Sequence, residues 1–584
     1  MKPLLAICLT FLLCTPVVAQ YYLRGEIKDE KNTPLANAKI LLHSNGYLYY
    51  SGSSGGFGIV SAKANDSITV SIDGFVSYST RIDAARFHSI VLKMMYAAAT
   101  VQKNRLLSLT SNLRLEDRNN WNVGTETYSS LLENEFVQAR RYPETGFAIH
   151  SDRASYSNIR RFLNMNSEVP PDAVRTEELL NYFNFGYSDP PRDSVFGYAS
   201  KVSDCPWNAD SQLLFVQLNA RKIDTSKIPA SNLVFLIDVS GSMDMPNRLP
   251  LLKAAFKLLV DNLREKDTVS MVVYGSTIGV WLRPTSGKEK EKIRKAIEDL
   301  NPGGSTPGES GIRSAYRLAK SQFIKGGNNR VILATDGDFN VGQSSEEDLE
   351  KLITMHQQSG IYLTCLGVGM GNYKDSKLEI LAKKGNGNFA YLDNEREAEK
   401  VLVKEFTQTL YTVADDAYLS INFNPDVIKE YRLIGFDNKR KAVADSLSEV
   451  EGGEVGSGHS MLAIFELFTN GAPDDLRFEG KRLADVNVHY MLPGDSVKMI
   501  STYQPVYDYV EYNELSSCYR FAAAVAMYAS LLKGSRYVRK ISWSDVQYLT
   551  GRAYNPDDHL QKEFLLMVEK ARKIYGRRKS KNKQ

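Results

Sequence analysis

The stretch LVFLIDVSGSM, residues 233–243, decides how the centre of this chain folds. The run Leu233–Val239 opens with five consecutive apolar residues and predicts a strand that is buried on both faces, as in the middle of a parallel sheet. Asp238 directly follows these five, and Ser240 and Ser242 come next at intervals of two. Carboxylates and hydroxyls just past such a strand indicate a polar site at the carboxyl edge of an α/β sheet.

The same alternation of buried strands and amphipathic stretches continues over residues 231–412. Further apolar runs predict strands at Val269–Tyr274, Val331–Thr335, Ile361–Val368 and Phe389–Leu392. Helical spacing of apolar residues predicts helices at Leu249–Arg264, Glu289–Leu300, Glu309–Phe323, Glu346–Gln358 and Glu395–Leu410. The expected fold of this region is a doubly wound, mainly parallel α/β sheet with helices on both faces.

Two further motifs place oxygen ligands at the same edge. NPGGSTPGES, residues 301–310, holds Thr306 in a glycine-rich loop that opens a helix, and RVILATDGDF, residues 330–339, ends a strand at Asp336. These two residues complete a candidate metal site with the three above: Asp238, Ser240, Ser242, Thr306 and Asp336. Hard oxygen donors suit Mg²⁺, with Mn²⁺ or Ca²⁺ as alternatives. Because three of the five are neutral hydroxyls, the cation would keep enough charge to attract a carboxylate from a partner protein.

This arrangement resembles the von Willebrand factor type A domain and its metal-ion-dependent adhesion site, or MIDAS. All five positions carry the residue types of that motif. The resemblance implies a doubly wound, Rossmann-like domain over residues 231–412 and a metal-mediated, protein-binding function without catalysis. We accordingly expect no catalytic residues and no organic cofactor, and a protein partner that binds through an acidic side chain.

The sequences on either side are similar to the flanks of a bacterial family of exported type A domain proteins. PPDAVRTEELLNYF and CPWN lie before the domain, within residues 141–230, and YRLIGFDN and EVGSGHSMLAIFEL lie after it. Two predicted strands before the domain, Ser194–Val202 and Gln212–Asn219, cannot close a sandwich alone, and four after it, within 413–510, are also few. We therefore predict that the α/β domain is inserted in a six-stranded β-sandwich, with helices following over residues 511–584.

The first 140 residues predict three segments. Residues 1–19 combine Lys2, an apolar run and a small residue, Ala19, in the layout of a secretory signal peptide. Residues 20–95 carry short strand patterns between turn residues and predict a small β-sandwich. Its motifs LRGEIKDEKNTPLANAKILL and GGFGIV resemble the carboxypeptidase regulatory-like domain. Residues 96–140 are polar and predict a linker that is partly helical near residues 127–140.

Charge and hydropathy limit the classes of function. The 584 residues include 72 Lys and Arg and 68 Asp and Glu, so the net charge of +4 is too balanced for a nucleic-acid binder. No apolar run after the signal peptide is long enough to span a bilayer. We expect export to the periplasm, the cell envelope or the extracellular space. Two alternatives are an envelope scaffold with a purely structural metal and a metal-dependent hydrolase, for which the sequence offers no convincing general base.

Overall fold

The computed structural model describes most of the chain, in segments: residues 21–30, 32–72, 75–93, 104–106, 126, 128, 133–149, 152–186, 189–191, 193–224, 228–275, 278–304, 308–337, 346–369, 375–405, 411–436, 448–450, 452–471, 476–538 and 540–581. The predicted signal peptide, most of the predicted linker and Thr306 lie outside these residues. The chain divides into two compact units, Met1–Gln102 and Lys103–Gln584, and each is described by itself.

The first unit consists of two small sheets around one hydrophobic core. Its strands are β1 (Tyr21–Asp29), β2 (Lys39–Leu42), β3 (Leu48–Tyr50), β4 (Gly56–Ser61), β5 (Asn65–Ser71), β6 (Tyr78–Asp83) and β7 (Phe87–Leu92). The sheet orders are β4-β1-β7 and β3-β2-β5-β6. Alternate residues of β1, Leu23 and Ile27, are buried against Ile40 and Val70 of the other sheet. The period-2 pattern therefore sets which face of each sheet is buried.

The second unit begins with strands and two helices. The strands are β8 (Asn104–Leu106), β9 (Val137–Gln138), β10 (Glu144–Ala148), β11 (Phe196–Asp204) and β12 (Gln212–Ala220), and the helices are α1 (Ala154–Asn164) and α2 (Thr176–Leu180). The prediction of helix near residues 127–140 is wrong for the part that is described. Val137 is buried and pairs with Tyr431, so this segment extends a sheet instead.

The α/β region follows, and its predicted strands and layered arrangement are confirmed. Its strands are β13 (Ser231–Asp238), β14 (Thr268–Tyr274), β15 (Gly279–Ser286), β16 (Asn328–Thr335), β17 (Ile361–Val368) and β18 (Phe389–Leu392). The sheet order is β15-β14-β13-β16-β17-β18, and every strand pair is parallel except β14 with β15. The sequence did not predict β15, because it is an edge strand that is largely exposed and contains Pro284.

Helices cover both faces of this sheet. They are α3 (Leu249–Asp261), α4 (Lys290–Glu298), α5 (Gly308–Ser321), α6 (Glu346–Gln358), α7 (Asp375–Lys384) and α8 (Glu395–Glu399). Phe235 packs in one hydrophobic cluster with α3, and its neighbour Leu236 packs in another with α5. Successive residues of a strand point to opposite faces, so both faces of the sheet are buried.

The last predicted helix of the region, Glu395–Leu410, is only partly correct. Only α8 is α-helical, and a π-helical turn, Lys400–Lys404, continues it. Residues 406–410 lie outside the described residues. The turn ends where the Glu405 amide donates to the Lys400 carbonyl, and Lys400 lies 3.6 Å from the ring centre of Tyr182. Lys400 thus contacts Tyr182, which lies before the α/β region, at the point where the helix changes from α to π.

Strands and helices complete the second unit. The strands are β19 (Thr412–Phe423), β20 (Ile428–Ile434), β21 (Ser448–Val450), β22 (Gly453–Gly456), β23 (Ser460–Thr469), β24 (Ala484–Met491), β25 (Lys498–Tyr503) and β26 (Tyr509–Val510), and the helices are α9 (Ser517–Lys533), α10 (Trp543–Ala553) and α11 (His559–Lys581). The predicted C-terminal helices are confirmed. In the described part of the chain, no helix is both long enough and apolar enough to cross a membrane.

Strands from before and after the α/β region pair with each other in two sheets. One has the order β26-β11-β12-β23-β20-β9, and the other has the order β10-β19-β24-β25 with β22 paired to β19. Leu214 of β12 faces Phe465 of β23 in the register, and Phe147 of β10 faces Leu419 of β19. All four side chains belong to one buried cluster. The α/β region is therefore inserted between strands of these sheets. The predicted number of six strands is too low, because the two sheets contain eleven strands in the described residues, including short ones such as β9 and β26.

The two points where the chain crosses between the sheets and the α/β region lie together. The hydroxyls of Ser231 and Tyr411 are 3.3 Å apart. Arg264 donates to the carbonyls of Ile228 and Pro229, at 3.0 and 2.7 Å, and also to the Tyr411 hydroxyl at 3.1 Å. One guanidinium thus holds both crossings.

Candidate functional site

Asp238 is the buried centre of the predicted site. It ends β13, whose residues are all buried, and its side chain is surrounded by donors. The Ser240 amide donates to Oδ1 at 2.8 Å, and the hydroxyls of Tyr274 and Thr335 donate to Oδ2 at 3.1 and 3.0 Å. Burial raises the pKa of Asp238 and the charge of Asp336 adds to this, although the hydrogen bonds of Ser240 and Thr335 oppose it. The site therefore contains two neighbouring carboxylates in a poorly solvated position.

Ser240 and Ser242 place two hydroxyls at the surface above Asp238. Their Oγ atoms are 3.0 Å apart. Ser240 directly precedes a 3₁₀ turn, Gly241–Met243, which contains Ser242 and is anchored by the fully buried Met243. We call residues 240–243 the serine turn. Because Ser242 is exposed and Ser240 is only partly buried, both oxygens remain accessible to a ligand.

The glycine-rich loop before α5 is bonded directly to this turn. The Gly241 amide donates to the Gly304 carbonyl at 2.9 Å, and the Gly303 amide donates to the Val239 carbonyl at 2.7 Å. Thr306 itself lies outside the described residues, so its place in the site stays a prediction. The loop that carries it nevertheless approaches the Ser240–Ser242 turn within two residues of Thr306.

Glycine permits another close approach at this edge. Gly275 follows β14 with a φ of +142°, and a Cβ atom there would lie 2.5 Å from the Ser240 amide nitrogen. No L-residue fits such a contact without moving the backbone. The end of β14 can therefore lie against the serine turn, which keeps the Tyr274 hydroxyl within reach of Asp238.

Asp336 lies at the end of the neighbouring strand and makes an ion pair that the sequence did not predict. Its Oδ2 is 2.8 Å from Nη1 of Arg248, and its side chain is only 1% exposed. The same Nη1 donates to the Ser242 carbonyl at 2.5 Å. Arg248 therefore links Asp336 to the serine turn.

Four of the five predicted ligands thus converge on one edge of the sheet. The set consists of two carboxylates and two hydroxyls, which is the donor chemistry that Mg²⁺, Mn²⁺ and Ca²⁺ prefer. In the described ranges, no group of three or more His, Cys, Asp or Glu residues is placed to hold a metal ion, and the candidate site itself has only two carboxylates. The buried carboxylate pair fits a cation, because nearby positive charge offsets the repulsion between Asp238 and Asp336.

Sequence reasoning missed three residues that shape the site: Tyr274, Thr335 and Arg248. Tyr274 ends the strand beside β13 and is in register with Asp238, and Thr335 precedes Asp336. Tyr274 and Thr335 could have been found from the sequence, because each is the last residue of a predicted strand that ends at the edge of the site. Arg248 lies just before α3, where nothing in the local pattern indicates a partner 88 residues further along.

Three family models match this chain. Residues 232–405 match the model of the von Willebrand factor type A domain, and residues 122–215 match one described as von Willebrand factor. Residues 408–574 match a model described as the C-terminal region of the uncharacterized protein YfbK. The matches therefore include the α/β region and both of its flanks.

Individual proteins match different shares of the chain. The uncharacterized protein YfbK of Escherichia coli strain K12 is 37% identical over 472 residues, which are 77% of this chain and 82% of that protein. Inter-alpha-trypsin inhibitor heavy chain H2 of Sus scrofa is 28% identical over 165 residues, which are 27% of this chain and only 17% of that protein. A solved von Willebrand factor type A structure from Catenulispora acidiphila has a TM-score of 0.38 and 15% identity, covering 64% of this chain and 88% of its own.

Proposed function

This chain belongs to the family of von Willebrand factor type A domain proteins that includes YfbK of Escherichia coli, and we propose that it is an exported binding protein that captures an acidic side chain of a partner protein through a divalent cation. The observation that carries the proposal is the convergence of Asp238, Ser240, Ser242 and Asp336 on one edge of the α/β sheet. Mg²⁺ is the favoured cation, with Mn²⁺ or Ca²⁺ as alternatives.

We assign the hydroxyls and the carboxylates of the site different roles in holding a cation. The Ser240 and Ser242 hydroxyls are neutral and accessible, and we assign them to direct contact together with Thr306. Asp238 and Asp336 are almost fully buried and would act mostly through water. A bound dication supplies an open coordination position that attracts an anionic oxygen. Since three of the five ligands are uncharged, a partner carboxylate completes the charge balance.

We further propose that the protein is not an enzyme. The Asp238 carboxylate accepts hydrogen bonds from the hydroxyls of Tyr274 and Thr335 and from the Ser240 amide. None of these groups is a base at neutral pH. Export is proposed on the apolar pattern of residues 1–19, which lie outside the described residues.

The cation site is tested by calorimetric titration of Mg²⁺ and Mn²⁺ into wild type, Asp238→Ala and Thr306→Ala. Both variants should lose at least tenfold in affinity and keep the wild-type circular dichroism spectrum. Asp299→Ala is the matched control, because Asp299 is an exposed carboxylate of the same α/β region. This variant should bind the cation with the affinity of wild type. Unchanged cation binding in the two site variants would refute the assignment.

The partner-binding step needs a second experiment. Immobilised wild type and Asp238→Ala are incubated with envelope extract in Mg²⁺ and, separately, in EDTA, and retained proteins are compared. A partner held through the cation is retained by wild type in Mg²⁺ and lost in the other three conditions. Retention that survives both EDTA and the Asp238→Ala change would favour the scaffold, in which the metal is structural.

A further inference from the structure

Arg248 reaches one of the proposed ligands from inside the protein. Its Nη1 is 2.8 Å from Asp336 Oδ2 and donates to the Ser242 carbonyl at 2.5 Å. The Arg248 side chain is 14% exposed and the Asp336 side chain is 1% exposed. This ion pair is therefore a buried feature of the site, unlike the mobile, solvated pairs at a protein surface.

The path of the Arg248 side chain is also built into the fold. It runs past Gly369, which follows β17 with a φ of +80°. A Cβ atom at Gly369 would lie 2.5 Å from Arg248 Nε and 3.0 Å from its Cγ. The Gly369 carbonyl is in turn fixed by a hydrogen bond from the Tyr391 hydroxyl. A larger residue at position 369 would block the route by which Arg248 reaches Asp336.

The position of this guanidinium conflicts with a cation at the same carboxylate. Arg248 neutralises Asp336, whose charge otherwise repels that of Asp238. A dication that draws on Asp336 would lie within a few ångströms of the guanidinium, where two positive groups repel each other strongly in a buried site. Either the guanidinium or the dication can neutralise the Asp336 carboxylate. Holding both beside it costs electrostatic free energy, because they repel each other.

We propose that Arg248 is a built-in competitor of the divalent cation, which pairs with Asp336 and must be displaced for the cation to bind. This inference rests on the proposed function, because it concerns the same site. Because Arg248 competes for Asp336, the site binds the cation more weakly than its oxygen ligands alone would. Opening the pair also frees a guanidinium at the rim of the site.

The test is a calorimetric titration of Mn²⁺ into wild type and into Arg248→Gln. Arg248→Gln should bind Mn²⁺ about tenfold more tightly, equivalent to about 1.4 kcal/mol. By linkage, the variant should also be less stable than wild type in EDTA, and this difference should shrink in saturating Mn²⁺. Arg294→Gln removes an arginine from exposed ion pairs of the same region and should match wild type in both measurements.

Arg248→Lys provides a second variant in case Arg248→Gln does not fold. Lysine keeps the charge but not the planar fork, so its Mn²⁺ affinity should lie between wild type and the expected value for Arg248→Gln. Equal affinity in all three proteins overturns the inference and leaves the cation site standing. Weaker binding in Arg248→Gln also overturns it, because Arg248 would then position Asp336 for the cation. If none of the proteins, wild type included, binds Mn²⁺, the proposed function fails together with the inference.

Discussion

Arg330 and Glu454 form a buried ion pair, with 2.9 Å between Nη2 and Oε1, that joins the α/β sheet to the strands that flank it. Arg330 lies near the start of β16, the strand that leads to Asp336 at its other end. It also donates to the Thr364 hydroxyl at 2.9 Å. The edge of the sheet opposite the candidate site is therefore fixed to the flanking strands. The α/β region is held by this ion pair as well as by the two points where the chain enters and leaves it.

Breaking this pair should destabilise the protein without changing the site. Arg330→Met leaves the Glu454 carboxylate buried without this counter-charge, and we expect a loss of about 3–5 kcal/mol in the free energy of unfolding. Urea denaturation measures the loss, and Mn²⁺ affinity of the folded variant should stay within twofold of wild type. Adding Glu454→Gln should recover part of the stability. If the double variant is as unstable as the two single changes added together, the pair does not act as a unit.

The hydrogen bond from Tyr274 to Asp238 should matter for cation binding. Tyr274→Phe removes a donor to Oδ2 without changing the packing of the ring, so Asp238 becomes less well oriented. We expect about a tenfold loss of Mn²⁺ affinity, in the range found for groups that support metal ligands. Tyr316→Phe is the matched control, because in the described part of the chain the buried Tyr316 hydroxyl has no hydrogen-bond partner. Equal affinities in the two variants would contradict this role of Tyr274.

Glu379 should make stability depend on acid pH. Burial tends to raise the pKa of its carboxyl, but Arg175 at 2.6 Å and Lys383 lower it from 4.5 to about 2. A carboxylate with a depressed pKa stabilises the fold above pH 4.5, and the contribution disappears as the pH falls toward 2. Glu379→Gln should therefore be less stable at pH 7 by about 2–3 kcal/mol. The deficit should shrink below pH 4.5.

Thermal unfolding at several pH values between 7 and 3 measures this dependence. Glu350→Gln, which alters a partly exposed ion pair of α6, is the control and should follow the wild-type curve. A Glu379→Gln deficit of the same size at pH 7 and pH 3 would show that the charge of Glu379 is not the cause. The test is independent of the cation, so it is made in EDTA.

Arg160 should hold the end of the α/β region against α1. Its guanidinium pairs with Asp393, Glu397 and Glu563, at 2.5, 2.7 and 2.8 Å. Arg160→Gln leaves the first two carboxylates buried and close together, so we expect faster amide hydrogen exchange over Phe389–Leu392 and α8. Arg317→Gln, on α5, should leave exchange there unchanged. Unaltered protection in Arg160→Gln would mean that packing alone fixes this segment.

Local pattern was enough to predict the elements that position the site. The apolar runs Leu233–Ile237 and Val331–Ala334 predicted both central strands, since strands buried on both faces carry few polar residues before they reach the edge of the sheet. The edge strand β15 was missed because Val280 and Trp281 are exposed, and its residues do not form a buried run. The helix α7 was not predicted either, although it covers one face of the same sheet.

Contacts between distant segments could not be predicted in this way. The pairing of Phe147 with Leu419 joins residues on opposite sides of the α/β region, and only the count of strands hinted that such sheets must close. Arg248 and Asp336 gave no hint at all, because a single arginine before a helix is equally well explained as a solvated residue. Long-range ion pairs depend on the assembled fold, which a local pattern does not contain.

The contact of Ser231 with Tyr411 has a consequence for the length of linker that could replace the α/β region. Because the α/β region leaves and returns at one spot, a short linker would be long enough to join the two ends of the flanking chain. Removing the region would still leave Glu454 buried without its Arg330 partner, so a shortened chain would also need an uncharged residue at position 454.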